Sequence, residues 1–143
     1  MELTLIKHGS PAYIDMIELR MQILRRPLGL SFTREQLVKE KEDWLIGAFE
    51  NDQIIGCCVL THHSADTIQL RQMAVKEDTQ TSGIGKQIVA YAEKLALEKG
   101  YSFLMMHARN TALEFYKKCG YTIRGNEFIE VTVPHHYMDK KLS

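Results

Sequence analysis

Cysteine, proline and tryptophan are scarce in this chain: three, three and one among 143 residues. An odd cysteine count, with Cys57 and Cys58 adjacent, excludes a disulfide framework. All three cysteines sit in apolar runs, where a free thiol behaves as a small buried hydrophobe. The prolines, Pro11, Pro27 and Pro134, are isolated and expected in loops or at element starts, so there is no proline-rich linker. Net charge is also lacking, because 18 Lys and Arg balance 18 Asp and Glu. A general nucleic-acid binder needs a basic surplus to displace counterions, and a polybasic membrane-surface protein needs one too. Neither a nucleic acid nor a membrane is therefore expected as a partner. No apolar run approaches the roughly 20 residues of a membrane span. Met1-Glu2-Leu3-Thr4 does not open a basic-then-apolar leader, and a soluble cytoplasmic protein is expected.

What is present is ordinary globular composition, 45% hydrophobic and 25% charged, in a length that suits a single domain over 1–143. The patterning predicts a short strand over Leu3–Lys7 and an amphipathic helix over Ala12–Leu24, with Ile14, Ile17 beside Met16, Met21 and Leu24 at helical spacing. Arg25-Arg26-Pro27-Leu28-Gly29-Leu30 ends that helix. A second helix over Thr33–Lys41 opens with Thr33 and Gln36 spaced as a capping box. Trp44–Phe49 and Ile54–Leu60 flank the hairpin signal Glu50-Asn51-Asp52-Gln53, and Thr67–Val75 is a third strand of that group. A long helix follows over about Gly83–Lys99, with Ile84, Ile88, Ala92, Leu95 and Ala96 as its stripe and Gly100 at its C-terminal end. Phe103–Met106 fits a strand buried on both faces. Asn110 is placed to cap a helix that buries Ala112, Phe115, Tyr116 and Cys119, and Tyr121–Lys141 reads as two strands around Pro134. The order β-α-α-β-β-β-α-β-α-β-β predicts an α/β fold: a central mixed sheet with helices on both faces and one parallel strand–helix–strand crossover.

The chemistry concentrates where Leu70–Val75 leads through Lys76–Thr79 into Gln80-Thr81-Ser82-Gly83-Ile84-Gly85-Lys86. The first amides of a helix have no intrahelical acceptor and carry the positive end of its dipole, so such a start can hold an anion. Lys86 sits in the first turn, where a cation is unfavourable by roughly 0.3–1 kcal/mol unless an anion is bound. Glycines for packing beside a solvated lysine would explain the same residues. A phosphate-binding Walker loop would need Gly at 80 and Ser or Thr at 87, but the chain has Gln80 and Gln87. A dinucleotide fingerprint would need a small residue at 88, but the chain has Ile88.

Gln80-x-x-Gly83-x-Gly85 resembles instead the Arg/Gln-x-x-Gly-x-Gly/Ala signature of the GNAT N-acetyltransferase superfamily, small single-domain bacterial branch. Asn110-x-Ala112-x-x-Phe115-Tyr116-x-x-x-Gly120-Tyr121 is similar to that family's next motif. The resemblance extends over essentially the whole chain. It implies acetyl transfer from acetyl-CoA to a primary amine of a small-molecule or protein acceptor, by direct attack in a ternary complex. It implies an acyl-CoA N-acyltransferase fold in which two parallel strands splay apart around the coenzyme. The pantetheine arm would add like a strand along Met73, Ala74 and Val75. The pyrophosphate would rest on Gln80, Thr81, Ser82, Gly83, Ile84, Gly85 and Lys86, and Asn110 would contact the arm. Tyr116 matches the tyrosine that protonates the leaving thiolate; on the residues alone, a tyrosine on this apolar face with Ala112 and Cys119 is usually core. The base is left open among Glu127, Glu130, His135 or a water. Gln72 stands where some relatives carry an acid. Arg25, Gln72, Glu130 and His135 are the candidate acceptor-binding residues; Arg25 and Arg26 could bind a carboxylate or phosphate on the acceptor, and are equally well explained as cations at a helix C-terminus. A non-catalytic acyl-CoA sensor on the same scaffold is the competing reading.

No metal is expected, because His62-His63 and His135-His136 would point to opposite strand faces and no spacing supplies three or four ligands. A monomer or homodimer is expected.

Overall fold

A computed structural model describes residues 1–79 and 83–142. The strands are β1 (Glu2–Ile6), β2 (Trp44–Glu50), β3 (Gln53–His62), β4 (Thr67–Val75), β5 (Phe103–Arg109), β6 (Thr122–Glu130) and β7 (Val133–Lys141). The helices are α1 (Pro11–Arg20), α2 (Arg34–Lys39), α3 (Ile84–Glu98) and α4 (Leu113–Lys118). The order matches the one expected from the sequence. One seven-stranded sheet runs β1-β2-β3-β4-β5-β7-β6, parallel only between β4 and β5 and antiparallel elsewhere.

Local chemistry accounts for most boundaries. Ser10 caps α1 by accepting from the Tyr13 amide, with Pro11 in its first turn. Thr33 and Gln36 form the reciprocal capping box of α2. Asn51 and Asp52 turn the β2–β3 hairpin with φ of 51° and 64°, values that Asn and Asp tolerate better than most residues. After α1 the chain continues as a π-helical turn, Met21–Arg25, then a 3₁₀ turn, Arg26–Leu28, closed by Gly29 at φ 71°. The predicted apolar stripe of the first helix needs correction. Ile14 is 66% exposed, and the buried side chains of α1 are Tyr13, Met16, Leu19 and Arg20. Arg20 can occupy a core-facing position because Glu40 neutralises it from the end of α2, a pairing that apolar periodicity does not register.

Strand alternation builds a core on each face of the sheet. Ile46, Cys58, Leu60, Ile68 and Leu70 pack with Ile88, Ala92 and Tyr116 on the face covered by α3 and α4. Leu45, Cys57, Val59 and Ala74 pack with Tyr13, Met16 and Leu19 of α1 on the other. Leu70 and Ala74 lie on opposite faces although they are an even number apart. The reason is a bulge in β4: Arg71 pairs with Val59 and Ala74 with Cys57, so Gln72 and Met73 together oppose Cys58. Gln72 has φ 55° there.

Burial pushes the Cys57 thiol up to about 12, and it also raises Cys58 and the phenols of Tyr13, Tyr116 and Tyr121. These groups are neutral when folded and titrate at ordinary values when unfolded, about 8.5 for a thiol. Their raised folded values mean that stability is intact below about pH 8.5 and lost as pH climbs toward the folded values. Each group then removes about 1.4 kcal/mol per pH unit. The urea midpoint should hold steady between about pH 7 and 8 and fall steeply above about pH 9. A midpoint unchanged to about pH 11 would contradict this account. At pH 8, a thiol reagent should react slowly with the buried Cys57 and Cys58 of the folded chain and rapidly with three thiols in urea.

Candidate active site

The parallel ladder between β4 and β5 is short. It joins Thr67, Ile68 and Gln69 to Phe103, Leu104 and Met105 and goes no further. Beyond it the bulged end of β4 runs toward the start of α3, while β5 stays paired with β7 through Arg109. The splayed parallel strands expected from the sequence are this divergence. Gln72 sits at the bulge rather than on a regular strand face, with its carbonyl 3.8 Å from the Cys57 sulfur. Met73 and Val75 pack on the α3 face and Ala74 on the α1 face.

At the head of α3, Gly83 takes a left-handed conformation with φ 77° and open space where a Cβ would stand. The helix begins with the bond from the Gln87 amide to the Gly83 carbonyl, so the amides of Ile84, Gly85 and Lys86 have no acceptor within the helix. The first turn holds no acidic residue, and Lys86 is exposed. Gly85 has a packing reason of its own: a Cβ there would lie 3.1 Å from the Phe115 ring. Gln80, Thr81 and Ser82 lie outside the described residues.

Tyr116 of α4 is buried among Phe115, Tyr121 and the α3-face core. Its hydroxyl makes no hydrogen bond with any described residue. Burial, followed by the neighbouring Cys58 and Cys119, holds the phenol above its ordinary value, so it remains a proton donor. Asn110 does not cap α4, which starts at Leu113 with Ala112 at its cap. Partners on β6 and β7 hold its side chain instead. Its Nδ2 donates to Glu127 at 2.7 Å, and its Oδ1 accepts from His136 Nδ1 at 2.8 Å.

On the α1 face a second group of polar side chains gathers. Met105, His107 and Arg109 share this face of β5 by alternation, and Arg109 donates to the Leu24 carbonyl at 2.8 Å, at the end of the π-helical turn. Glu130 accepts from His107 Nδ1 at 2.8 Å. A carboxylate only accepts, so Nδ1 carries the hydrogen, and Nε2 of the neutral ring is left as the basic nitrogen. The other Glu130 oxygen lies 3.8 Å from His135 Nε2. His135, a candidate for the base and for acceptor binding, is a strand residue of β7, 3% exposed, stacked on Phe128 and donating from Nδ1 to the Val133 carbonyl at 2.9 Å. Arg25 turns inward, its guanidinium 4.3 Å from the centre of the Phe32 ring. Arg26 turns outward to pair with Glu18 at 2.9 Å.

The residues that sequence reasoning passed over are His107, Arg71 and Arg109. Each sits in a strand read for its apolar content, and only strand alternation combined with the end of the β4–β5 ladder would have singled them out. Among the described residues, no group of three or more His, Cys, Asp or Glu is placed to hold a metal ion. No helix of the described residues is long and apolar enough to cross a membrane.

Residues 41–123 match the family model described as an acetyltransferase (GNAT) domain. The chain belongs to the GNAT family. The uncharacterised protein YyaT of Bacillus subtilis is 35% identical over 77 residues, 54% of this chain and 52% of that protein. The chain spans about half the length of the curated relatives it matches. A Lactobacillus plantarum protein described provisionally as an N-acetyltransferase superposes with a TM-score of 0.85 at 23% identity, over 100% of both chains. A GNAT acetyltransferase from Elizabethkingia anophelis, solved with acetyl-CoA bound, gives 0.76 at 22% identity over 98% and 97%. These two structures establish the likeness of fold.

Proposed function

We propose that this chain transfers an acetyl group from acetyl-CoA to a primary amine, with both bound together. The observation that carries the reading is the parting of β4 from β5 beyond Gln69 and Met105, with the Tyr116 hydroxyl, unbonded among the described residues, on one face of the sheet and the His107–Glu130 pair on the other. The main chain of Met73, Ala74 and Val75 would hold the amide-bearing arm as an added strand, and the amides of Gly83–Lys86 its pyrophosphate. Gln80, Thr81 and Ser82 complete that loop in the proposal. Asn110, fixed by Glu127 and His136, would meet the arm.

Acetyl-CoA supplies an acetyl group activated as a thioester. The amine nitrogen bonds to the acetyl carbon as the carbon–sulfur bond breaks. His107 Nε2 would take the amine's proton, with Glu130 fixing the ring through Nδ1. A backbone amide near Val75 would face the charge that develops on the carbonyl oxygen. Tyr116 would deliver its hydroxyl proton to the sulfur.

Calorimetric titration with acetyl-CoA should show binding well below about 1 mM. Failure to bind there would overturn the reading. Thiol release should then appear with a panel of amines. Binding without release on any amine would favour the sensor alternative. His107→Gln should lower kcat by about 100-fold with the coenzyme affinity unchanged. An unchanged kcat would remove His107 from the mechanism.

A further inference from the structure

Guanidinium groups crowd the α1 face of the sheet beside His107. Arg25 and Arg20 both stack on Phe32, at 4.3 and 4.6 Å from the ring centre. Arg109 reaches the same turn by its bond to the Leu24 carbonyl, immediately before Arg25. Arg71 stands on this face of β4 at the edge of the bulge, paired with Val59, and its side chain is exposed. Their ion pairing is unequal. Arg20 is ion-paired with both oxygens of Glu40 through its two terminal nitrogens, its buried Nε having no partner among the described residues, and Arg26 is paired with Glu18. Arg25, Arg71 and Arg109 have no carboxylate within 4.0 Å among the described residues. Burial, then the positive charges of Arg20, Arg109 and Arg71, hold the Arg25 guanidinium below its ordinary value, and burial does the same for Arg109. Glu40 is bonded to Arg20 and Glu130 to His107, while Glu130 also acts on Arg25 and Asp43 on Arg71 at longer range.

Three guanidiniums with no carboxylate in ion-pair range among the described residues repel one another, and an oxyanion between them reverses the sign of that interaction. Arginine's planar fork matches carboxylate and phosphate oxygens. We propose that Arg25, Arg71 and Arg109 form an anion subsite for the acceptor, so that the acceptor is a primary amine that also carries a carboxylate or phosphate group. The inference rests on the amine-acetylation reading above and specifies its substrate class. The subsite lies beside the proposed base, so the anionic group anchors the molecule while its amine faces His107.

The test compares paired amines that differ in the anionic group: glycine against glycinamide, and phosphoethanolamine against ethanolamine. At least one anionic member should show a kcat/KM about tenfold or more above its neutral partner, and which pair responds identifies the carboxylate or the phosphate. Arg25→Gln and Arg71→Gln should each raise KM for that acceptor about tenfold, with the neutral amine and coenzyme affinity unaffected. Arg71→Lys should recover part of the loss. Arg26→Gln removes the same charge from the adjacent, outward-facing position and should change nothing. Equal kcat/KM for anionic and neutral amines would overturn the subsite while leaving acetylation standing. If no amine is turned over, inorganic phosphate is titrated with coenzyme A present to fill the α3 end. Saturable binding weakened about tenfold in Arg71→Gln supports the subsite. No binding, or equal binding by the variant, overturns it.

Discussion

Tyr116→Phe is expected to lower turnover by about two to four orders of magnitude while leaving acetyl-CoA affinity nearly unchanged. The substitution removes one oxygen from a side chain that is 5% exposed. That oxygen bonds to no described residue, so its loss orphans no partner there, and the urea midpoint should move little. The ring keeps its edge contacts with Phe115 and Tyr121, at 5.0 and 6.1 Å. A phenol held neutral by burial has one thing to give, its proton, and the sulfur of a departing thiol is where that proton would be used. Thiol-release kinetics beside a calorimetric titration separate the two effects. Full activity in the phenylalanine variant would return Tyr116 to a packing role, the reading its apolar helix face supports by itself.

The largest effect on stability is expected at Arg20 and Glu40. Arg20 is fully buried, and Glu40 is 3% exposed. The guanidinium donates to both carboxylate oxygens, at 2.9 and 2.6 Å, and Tyr13 donates to one of them. Glu40→Ala leaves a buried cation without its counter-ion and should cost about 3–5 kcal/mol, a large share of a domain's total. Urea unfolding at pH 7 reads the loss, provided that the variant accumulates folded. The pair by itself is weak evidence of net stabilisation, because two charges must first leave water. Arg20→Met combined with Glu40→Leu should therefore recover most of the loss. A double variant as unstable as Glu40→Ala would mean that the ion pair contributes through the Tyr13 and Phe32 contacts around it.

How much of this was legible in the sequence depends on the range of the interaction concerned. The α2 capping box, the β2–β3 hairpin, the α3 stripe and its start at Gly83 are encoded within a few residues of themselves. The Gln80–Gly85 and Asn110–Tyr121 spacings carried the family resemblance, and the matched domain over 41–123 agrees with it. The misreadings share the opposite property. Ile14 was placed inside, and Arg20 went unnoticed, because the partner that admits Arg20 to the core is 20 residues away. Asn110 was read as a helix cap, because Glu127 and His136 reach it only across β6 and β7.

By itself the sequence determined the element order, the mixed sheet and the glycine-bearing helix start that follows β4. Propensity, capping and apolar period act over one or two turns or strands, and those distances are written in the chain. Tertiary structure alone decided which charges are neutralised and which stand free. The zero net charge conceals an uneven arrangement: Glu40 is paired with Arg20, Glu18 with Arg26 and Glu130 with His107, while Arg25, Arg71 and Arg109 share one face with no carboxylate within 4.0 Å among the described residues. Electrostatic energy depends on distance through space. A count of charges along the chain cannot report that arrangement, and only the folded sheet brings the three guanidiniums beside the histidine.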